Sequence, residues 1–435
     1  MQYLIGLDIG TSSVKGVLMT EDGAVVRTAK GCFEYIRSKD GIVEIVPESY
    51  LQVCYQTIRQ LASGADGGTI GGLCASSASG NLLLLDSANL PMCNIIGWQD
   101  GRVSDEASEI LGAMDNDAFY NQVGWPFGWK KFPLAQLCYI KKHNPTLLKE
   151  SSMVSMSTEY LYYTLSGKWG ISTSAGTPSF LLNQVTGAYI PDVLNALELP
   201  EEKLPPIMPC GTIVGYAGHE AAALCGLPAG TPIVLGSFDH PSAARGVDVT
   251  KEGQMLLSCG TSWVAFFPVC DRQKAVDAKI LIDPFLSPNG CWGAMTSVSS
   301  LSDRLKLYVH RYIDNSETAF EILSSLAKQS TAGANGLKIN VREEPNDANI
   351  LTFNKQDIAR AIMESAVMLL KERLDNLAKI GISAKEAVMV GGPSEDPYWI
   401  YLIEQICNIS VKTKHQSYAG AVGAARIAQK ATGGN

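Results

Sequence analysis

The stretch YLIGLDIGTSSVKGVL, residues 3–18, decides the fold. Its first part, Tyr3–Leu7, is short, apolar and typical of a buried β-strand. Gly10–Ser13 has the composition of a tight turn, and apolar residues follow it. The stretch therefore predicts a β-hairpin whose first strand ends near the carboxylate of Asp8 and whose second strand carries Lys15.

This hairpin has two interpretations. A carboxylate beside a Gly-Thr-Ser turn can hold a hydrated Mg²⁺ ion, and the turn can direct backbone N–H groups at phosphate oxygens. Short glycine motifs also occur by chance, so an ordinary buried hairpin with a polar turn is the alternative. Other features of the sequence are needed to distinguish these two interpretations.

The same design recurs later in the chain. Residues 253–267 read GQMLLSCGTSWVAFF, which is an apolar strand, a Gly-Thr-Ser turn and a second apolar strand. Gly260 of this turn stands 250 residues after Gly10 of the first. The repetition predicts two similar lobes, each of which contributes one turn to the same polyphosphate. The pattern resembles the superfamily of sugar kinases, actin and heat-shock ATPases.

The composition is that of an ordinary globular protein with 435 residues, 46% of them hydrophobic and 18% charged. This length is enough for two or three domains. The formal net charge of −8 argues against nucleic acid or an anionic membrane as the main partner. We expect no membrane-spanning segment and no signal peptide. The 11 cysteines are scattered without zinc-type spacing, which is typical of a reducing cytoplasm.

The pentad WQDGR, residues 98–102, combines an indole, an amide, a carboxylate and a guanidinium. Such a set can stack on the apolar face of a sugar and bind its hydroxyls. The alternative is a surface loop in which Arg102 pairs with Asp100 or Asp105 and Trp98 belongs to the core. Further along, Trp125, Phe127 and Trp129 form an aromatic loop that either lines a substrate pocket or packs in an ordinary way.

A second carboxylate follows a predicted strand over Pro232–Gly236. Asp239 stands just after this strand, and residues 242–246 are predicted to open a helix. An Asp at the carboxyl end of a strand, beside a helix N-terminus, is well placed to act as a general base. The alternative for Asp239 is a plain helix N-cap.

The C-terminal part contains a predicted long helix over Gln356–Leu377. A predicted strand over Ala387–Val390 then runs into Gly391 and Gly392, and a helix is predicted over Pro397–Cys407. A strand followed by two glycines and a helix lets the backbone approach a nucleoside closely. The small residues of Tyr418–Ala425 predict a helix suited to close packing.

Taken in order, these features resemble the FGGY carbohydrate kinase family, which includes xylulokinase and glycerol kinase. The motifs that carry the resemblance are LDIGTSSVKG, WQDGR, GLPAGTPIVLGSFD, SCGTS, DIARAIMES and VGGPSEDPYW. The resemblance spans residues 3–429 and implies an α/β fold of two actin-like (ribonuclease H-like) lobes. Each lobe would be a mixed five-stranded sheet flanked by helices, with ATP and sugar in the cleft between the lobes. The lobes are expected at residues 1–245 and 246–435.

The resemblance also implies site residues. Asp239 would be the catalytic base, and Asp8 and Asp239 would be the metal-binding residues. ATP would be bound by Thr11, Ser12, Lys15, Gly260, Thr261, Gly391, Gly392 and Glu395. The substrate would contact Ala78, Trp98, Asp100, Arg102 and Asp239.

The function that the resemblance implies is ATP-dependent phosphorylation of a sugar, sugar acid or polyol, with ATP and Mg²⁺ as cofactors. Neither nucleic acid nor membrane is expected as a partner. The expected location is the cytoplasm, and a homodimer is left open. The alternatives are an actin-fold ATPase that drives assembly and a family member that binds a metabolite without transferring phosphate.

Two departures from the family bear on specificity. Residues 76–81, SSASGN, are small where the family often carries a longer sugar-binding side chain, and Ala78 and Gly80 are prominent among them. This predicts an acceptor that is bulkier than glycerol or carries a substituent near Ala78. The chain is also short for the family, and the missing segment is expected between Thr296 and Asn354, in the lobe that binds the nucleotide.

Overall fold

A computed structural model describes residues 1–102, 112, 116–126, 132–414 and 416–433. Its contacts divide the chain into two compact units. Unit 1 contains Met1–Asp248, Lys279–Gly290 and Tyr418–Asn435, and unit 2 contains Val249–Ala278 and Cys291–Ser417. Two late segments thus belong to unit 1, whereas the lobes expected from the sequence are contiguous. The limits of those lobes stay a prediction.

The strands are β1 Gln2–Ile9, β2 Ser13–Thr20, β3 Val25–Cys32, β4 Ile36–Arg37, β5 Val43–Ile45, β6 Thr69–Ser77, β7 Leu82–Leu85, β8 Ile95–Ile96, β9 Met153–Met156, β10 Ile171–Ser172, β11 Leu182–Asn183, β12 Ala188–Tyr189, β13 Ile207–Met208, β14 Ile213–Tyr216, β15 Pro232–Phe238, β16 Gly253–Cys259, β17 Trp263–Val269, β18 Leu281–Asp283, β19 Trp292–Val298, β20 Ala384–Gly391 and β21 Ser410–Thr413.

The α-helices are α1 Pro47–Ala62, α2 Asn116–Val123, α3 Pro133–His143, α4 Pro145–Glu150, α5 Ser157–Ser166, α6 Thr173–Gly176, α7 Pro191–Leu197, α8 His219–Cys225, α9 Asp239–Gly246, α10 Arg272–Asp277, α11 Leu301–Tyr312, α12 Ala319–Ala327, α13 Asp347–Ile350, α14 Lys355–Ala378, α15 Pro397–Cys407 and α16 Ala419–Ala431.

The main sheet of unit 1 has the strand order β14-β15-β6-β1-β2-β3. β1 runs antiparallel to β2 and parallel to β6, and β15 runs parallel to β6, so the sheet is mixed as expected. It carries one strand more than the five expected, because β14 pairs antiparallel with β15 at the edge. A smaller sheet of the same unit has the order β4-β5-β8-β7-β9.

The predicted first hairpin is confirmed, and the alternation of β1 explains why it is buried on both faces. Ile5 and Leu7 pack with residues of α1 such as Ile58, whereas Leu4 on the opposite face packs with residues of α16 such as Val422. Alternate side chains of a strand point to opposite faces, so a nearly continuous apolar run suits a strand covered on both sides. Each such burial stabilises the fold by about 1.5–3 kcal/mol.

Glycines let α16 approach its neighbours closely, as its small residues predicted. A Cβ at Gly6 of β1 would stand 2.0 Å from the carbonyl oxygen of Ala421. A Cβ at Gly423 would stand 1.8 Å from the carbonyl oxygen of Ser242 in α9. Any larger residue at either position would force the elements apart, so α16 is bound tightly to both β1 and α9.

In unit 2 the strands lie in the order β19-β17-β16-β20-β21. β16 and β17 form the second predicted hairpin, and β20 runs parallel to β16. The long helix α14 begins after Asn354, whose side chain accepts a hydrogen bond of 2.8 Å from the backbone N–H of Asp357. This is a helix N-cap, which typically contributes about 1 kcal/mol.

Local patterns predicted some boundaries well and one poorly. α15 has the predicted limits. The helix after β15 begins at Asp239 and not near Ser242, because Pro241 is accommodated in the first turn, where its missing N–H costs nothing. Asp105, Phe127 and Trp129 lie outside the described residues.

Candidate active site

Asp8 stands on β1, one residue before its end. Its Oδ1 is buried and has no hydrogen-bond partner among the described residues. Gly420 of α16 lies so close to the carboxylate that a Cβ there would stand 2.5 Å from Oδ2. A buried carboxylate oxygen without a donor is costly unless a ligand supplies the missing partner. Asp8 is therefore suited to hold a group that the chain itself does not provide.

Two other predicted residues lie close enough to act on the charge of Asp8. Lys15 is directly opposite Asp8 in the antiparallel register of β1 and β2. Burial raises the pKa of Asp8, the negative charge of Asp239 raises it further and Lys15 lowers it, which places the pKa at about 7. The structure thus brings Asp8, Lys15 and Asp239 into one electrostatic neighbourhood.

The turn of the first hairpin is tied to neighbouring side chains. The indole Nε1 of Trp98 donates to Oγ1 of Thr11 over 3.1 Å, and the hydroxyl of Tyr35 donates to the carbonyl oxygen of Thr11. Ser12 is exposed, and its carbonyl oxygen accepts from the backbone N–H of Phe33. Contact of Thr11, Ser12 and Lys15 with phosphate stays a prediction.

The WQDGR loop is held in place by an ion pair between Asp100 and Arg102. This pair is the alternative to a sugar-binding role that the sequence analysis left open. Asp100 is 1% exposed, and Arg102 Nε donates to its Oδ1 over 2.9 Å. The other oxygen, Oδ2, accepts 2.8 Å from the backbone N–H of Val43, and Arg102 Nη2 also reaches Glu44 over 2.7 Å. Both groups thus hold the loop in place, and their contact with a sugar stays a prediction.

The small-residue patch follows β6 and supports Trp98. Ala78 is half-buried, and Asn81 Oδ1 accepts 3.0 Å from the backbone N–H of Trp98. Gly80 has φ +90°, and a Cβ there would stand 2.8 Å from Cδ1 of Phe132. Only glycine fits both conditions. The shortness of position 80 therefore has a packing reason in this chain.

Asp239 is the first residue of α9, directly after β15. Its side chain is 26% exposed, and its Oδ1 accepts 2.7 Å from the backbone N–H of His240. Burial raises the pKa of Asp239, and the nearby imidazole of His240, whose Nε2 lies 4.0 Å from Oδ1, opposes that rise. A partly exposed carboxylate with a raised pKa can accept a proton better than an ordinary one.

Asp283 of β18 is a buried carboxylate that sequence reasoning missed. Its Oδ2 accepts 2.7 Å from Oγ of Ser174, and the same oxygen of Ser174 accepts 3.1 Å from the backbone N–H of Phe238. Burial raises the pKa of Asp283 to about 6. Asp283 thus supports the end of β15, one residue before Asp239. The only signal was an Asp-Pro pair after an apolar run.

A series of aromatic rings connects Trp98 with the neighbourhood of Asp239. Trp98 stacks on Phe132 with 6.0 Å between ring centroids, and Phe132 meets Trp125 edge-on at 5.6 Å. Trp125 then meets Phe238 at 5.2 Å, and its Nε1 donates to the carbonyl oxygen of Ile282 over 3.1 Å. Trp125 is buried, as the packed interpretation of the aromatic loop predicted.

Unit 2 contains a pocket of about 820 Å³, a size typical of small-molecule sites. Four of the residues predicted to bind ATP line it, namely Gly260, Thr261, Gly392 and Glu395. Gly391 is not among the lining residues. Its φ is +96°, and a Cβ would stand 2.4 Å from the carbonyl oxygen of Cys259, so the close approach of β20 to β16 requires glycine there.

The turn of the second hairpin is fixed from the start of α11. Oγ of Ser302 donates to the carbonyl oxygen of Gly260 over 2.6 Å, and its backbone N–H donates to that of Thr261 over 3.0 Å. Gly260 itself leaves open space, since the nearest atom to an added Cβ would be 3.9 Å away. Sequence reasoning missed other lining residues, because the apolar periodicity of a helix does not indicate which of its residues line a pocket. Among these residues are Ser302, Asp303, Phe320, Ser324, Lys328 and Trp399.

Comparison with family models matches two domains of one family. Residues 3–246 match the N-terminal domain of the FGGY family of carbohydrate kinases, and residues 344–432 match its C-terminal domain. In the part of the chain that the structure describes, no helix is both long and apolar enough to cross a membrane.

Individual relatives are similar over nearly the whole chain. The xylulose kinase of Bacillus subtilis is 25% identical over 451 aligned positions, which cover 100% of this chain and 89% of that protein. The autoinducer-2 kinase of Salmonella choleraesuis is 24% identical, with 97% and 85% covered. The crystal structure of xylulose kinase from Rhodospirillum rubrum matches with a TM-score of 0.87 at 23% identity, covering 99% of this chain and 91% of that one.

Proposed function

Because this chain belongs to the FGGY family of carbohydrate kinases, we propose that it transfers the γ-phosphate of ATP to a hydroxyl of a sugar, sugar acid or polyol, with Asp239 as the base. The family makes the chain an ATP-dependent phosphotransferase with the actin-like two-lobed fold. The observation that carries the proposal at residue level is the buried Oδ1 of Asp8, which has no hydrogen-bond partner among the described residues and lies in the neighbourhood of Asp239.

The residues around Asp8 fit a magnesium ion. Carboxylate oxygens are the ligands that Mg²⁺ prefers, and this ion usually keeps several waters and takes only one or two carboxylates from the protein. Among the described residues, no cluster of three or more His, Cys, Asp or Glu could hold a metal. A magnesium ion held by one or two carboxylates needs no such cluster. Asp8 would hold the ion and Asp239 would stand beside it. When bound, Mg²⁺ neutralises charge on the transferring phosphate.

The chain's own part in the reaction is positioning and proton transfer. An alcohol is a poor proton donor at neutral pH, so a carboxylate within hydrogen-bond reach accepts the hydroxyl proton as transfer proceeds. The backbone N–H of His240 fixes Oδ1 of Asp239, and the Ser174–Asp283 pair fixes the strand end before it. Lys15, opposite Asp8, would neutralise phosphate charge.

The pocket of unit 2 would receive the nucleotide. Gly260 and Thr261 would face its phosphates, and Gly392 and Glu395 would lie near the nucleoside, with Gly391 shaping the turn. The indole of Trp399 and the ring of Phe320 among the lining residues supply apolar surface for a base.

We propose that the acceptor is larger than glycerol and has an apolar face. The stacked rings of Trp98 and Phe132, both half-buried, would provide an aromatic surface, and the nearby 76–81 patch carries the small side chain of Ala78. C–H faces of sugars stack on such rings, while Asp100 and Arg102 would orient hydroxyls at the edge. A cytoplasmic location and a homodimer are further proposals of this kind.

The test is acceptor-dependent release of ADP from Mg·ATP, measured over a panel of sugars, sugar acids and polyols including glycerol. We expect a sugar or sugar acid to give the highest kcat/KM. Glycerol as the best substrate would contradict the proposed acceptor size. ATP hydrolysis that no acceptor accelerates would contradict the kinase itself.

A further inference from the structure

Two cysteines of unit 2 face each other where the ladder between β17 and β19 ends. Val269 pairs with Trp292 in the antiparallel register, so one further step along both strands brings Cys270 opposite Cys291. Their Sγ atoms lie 2.8 Å apart. A disulfide bond has a length of about 2.05 Å, so the two sulfurs can be joined with a small movement.

The two thiols are not equivalent. Cys270 is exposed and Cys291 is buried. Burial, followed by the interaction with Cys270 and the negative charge of Glu252, raises the pKa of Cys291 to about 11. Oε1 of Glu252 also accepts 2.7 Å from the backbone N–H of Cys270, which fixes the backbone there. A reagent in solution therefore meets Cys270 first, and Cys291 is held behind it as a protonated reserve.

We propose that Cys270 and Cys291 form a site of reversible oxidation that exchanges with small-molecule disulfides of the glutathione type. The thiolate of Cys270 attacks one sulfur of the small disulfide, whose S–S bond breaks and releases one thiolate. Cys291 gives its proton to that thiolate and attacks Sγ of Cys270, which releases the second thiol. The cysteine pair is oxidised to a disulfide, the small disulfide is reduced to two thiols, and the protons of the two cysteines end on those thiols.

The position of the pair gives the bond a consequence for the chain. Between the two cysteines the chain leaves unit 2 at Lys279 and returns to it at Cys291. Arg272, two residues after Cys270, rests over the ring of Trp292, one residue after Cys291, at 5.2 Å. A disulfide between Cys270 and Cys291 would link the chain covalently before and after this segment. The segment, which carries Asp283, would then lie within a closed loop. Disulfides that form in reducing compartments are usually transient and redox-sensing.

The test equilibrates the full chain, carrying Cys32→Ser to remove an exposed cysteine of unit 1, in buffers of graded reduced and oxidised glutathione. Acid and then N-ethylmaleimide stop the exchange, and mass spectrometry of intact and digested protein follows. We expect two fewer alkylated thiols, an intact mass that is lower by those two maleimide adducts and by two hydrogens, and a peptide linked through Cys270 and Cys291. The link should disappear in excess reduced glutathione.

Single variants separate attack from resolution. Cys291→Ser should accumulate a stable glutathione adduct on Cys270, whereas Cys270→Ser should form neither the linked peptide nor an adduct on Cys291. The proposal is overturned if the parent chain shows no linked peptide at the most oxidising ratio, or if it retains a glutathione adduct on Cys270 instead. The parent chain alone decides this, so a variant that folds poorly does not leave the question open.

Discussion

The two hairpins share a Gly-Thr-Ser turn but differ in charge. On the first, Asp8 and Lys15 stand opposite each other across β1 and β2. On the second, neither β16 nor β17 carries a charged residue. Asp239 and Asp283, whose pKa values are raised, belong to unit 1 together with the first hairpin.

The turns also differ in what surrounds them. In the first turn, Trp98 and Tyr35 both hydrogen-bond to Thr11, so its side chain and backbone are fixed by neighbours. In the second turn, Gly260 and Thr261 face a pocket of about 820 Å³. One turn is thus surrounded by reactive side chains, whereas the other leaves room for a ligand. We propose that the repeated motif is divided in this way, with the first copy serving the chemistry and the second copy serving binding.

The largest effect that tests this division is expected for Asp239→Asn, which keeps the shape of the side chain and removes its basicity. Turnover should fall by about 10²–10⁴ or more, the usual contribution of a positioned base, with ATP binding little changed. Asp86→Asn is the matched control, because the side chain of Asp86 accepts turn N–H groups from Ala88 and Leu90. An Asp239→Asn variant with more than roughly a tenth of parent turnover, with chemistry rate-limiting, would falsify the assignment.

The second prediction concerns the effect of a buried carboxylate on the stability of unit 1. Glu159 of α5 is 1% exposed, its Oε2 has no partner among the described residues, and burial raises its pKa from 4.5 to about 8. A raised pKa means that the stability contributed by the protonated group is fully present below about pH 4.5 and is lost as pH rises through about 8. Glu159→Gln should therefore be more stable than the parent at high pH.

The expected gain is about 2–4 kcal/mol, since each unit of pKa shift corresponds to about 1.36 kcal/mol. Urea unfolding at about pH 5 and about pH 9 measures it, and the gain should grow between the two. Glu48→Gln, at an exposed position in the first turn of α1, is the control and should show no such growth. A gain that is equal at both pH values would contradict the prediction.

The third prediction concerns the room at the second turn. Gly260→Val should raise the KM for ATP by about tenfold or more, a loss of at least about 1.4 kcal/mol, while acceptor binding persists. The fold should tolerate the change, because no atom lies closer than 3.9 Å to the added Cβ. Gly218→Val, at a glycine of unit 1 with nothing within 4 Å, controls for chain stiffening. Unchanged ATP kinetics would remove the second turn from the phosphate site.

The smallest effect is expected for Trp98→Phe, which keeps the stacking on Phe132 and removes the hydrogen bond to Thr11. Loss of one such bond should cost about 0.5–1.5 kcal/mol of stability. Trp169→Phe is matched to it, because Trp169 stacks on Tyr163 and donates 3.2 Å to Asn89. Both variants should lose similar stability in urea, but only Trp98→Phe should change the KM for ATP. Equal kinetics in the two would contradict a role for the Trp98 bond in positioning the turn.

Sequence reasoning succeeded where the residues of a short stretch determine its structure by themselves. The hairpins and α15 are specified by local apolar patterns and by the turn residues at their ends. The placement of Asp8 near the end of β1 follows from the same local pattern. Such features depend on neighbours within a few residues, which a linear pattern records.

Contacts between distant residues could not be predicted in this way. Ser174 and Asp283 are 109 positions apart, and Glu44 reaches Arg102 across 58. No local pattern indicates that Lys279–Gly290 joins unit 1 after the chain has entered unit 2. Packing decides these pairings, so Asp283 was missed. The ion pair of Asp100 with Arg102 lies within one loop and was the alternative that the sequence offered, and contact of Asp100 with a sugar stays a prediction.

The close packing of α16 on β1 has a consequence for synthesis. β1 is translated before all of unit 2, whereas the helix that covers one face of it, Ala419–Ala431, is translated after unit 2. The apolar side chains of Leu4, Val17 and Met19 therefore lack the helix that packs on them until unit 2 has been translated. Nascent chains with exposed apolar surface are prone to aggregation, so we expect unit 1 to depend on chaperones until translation has passed residue 431.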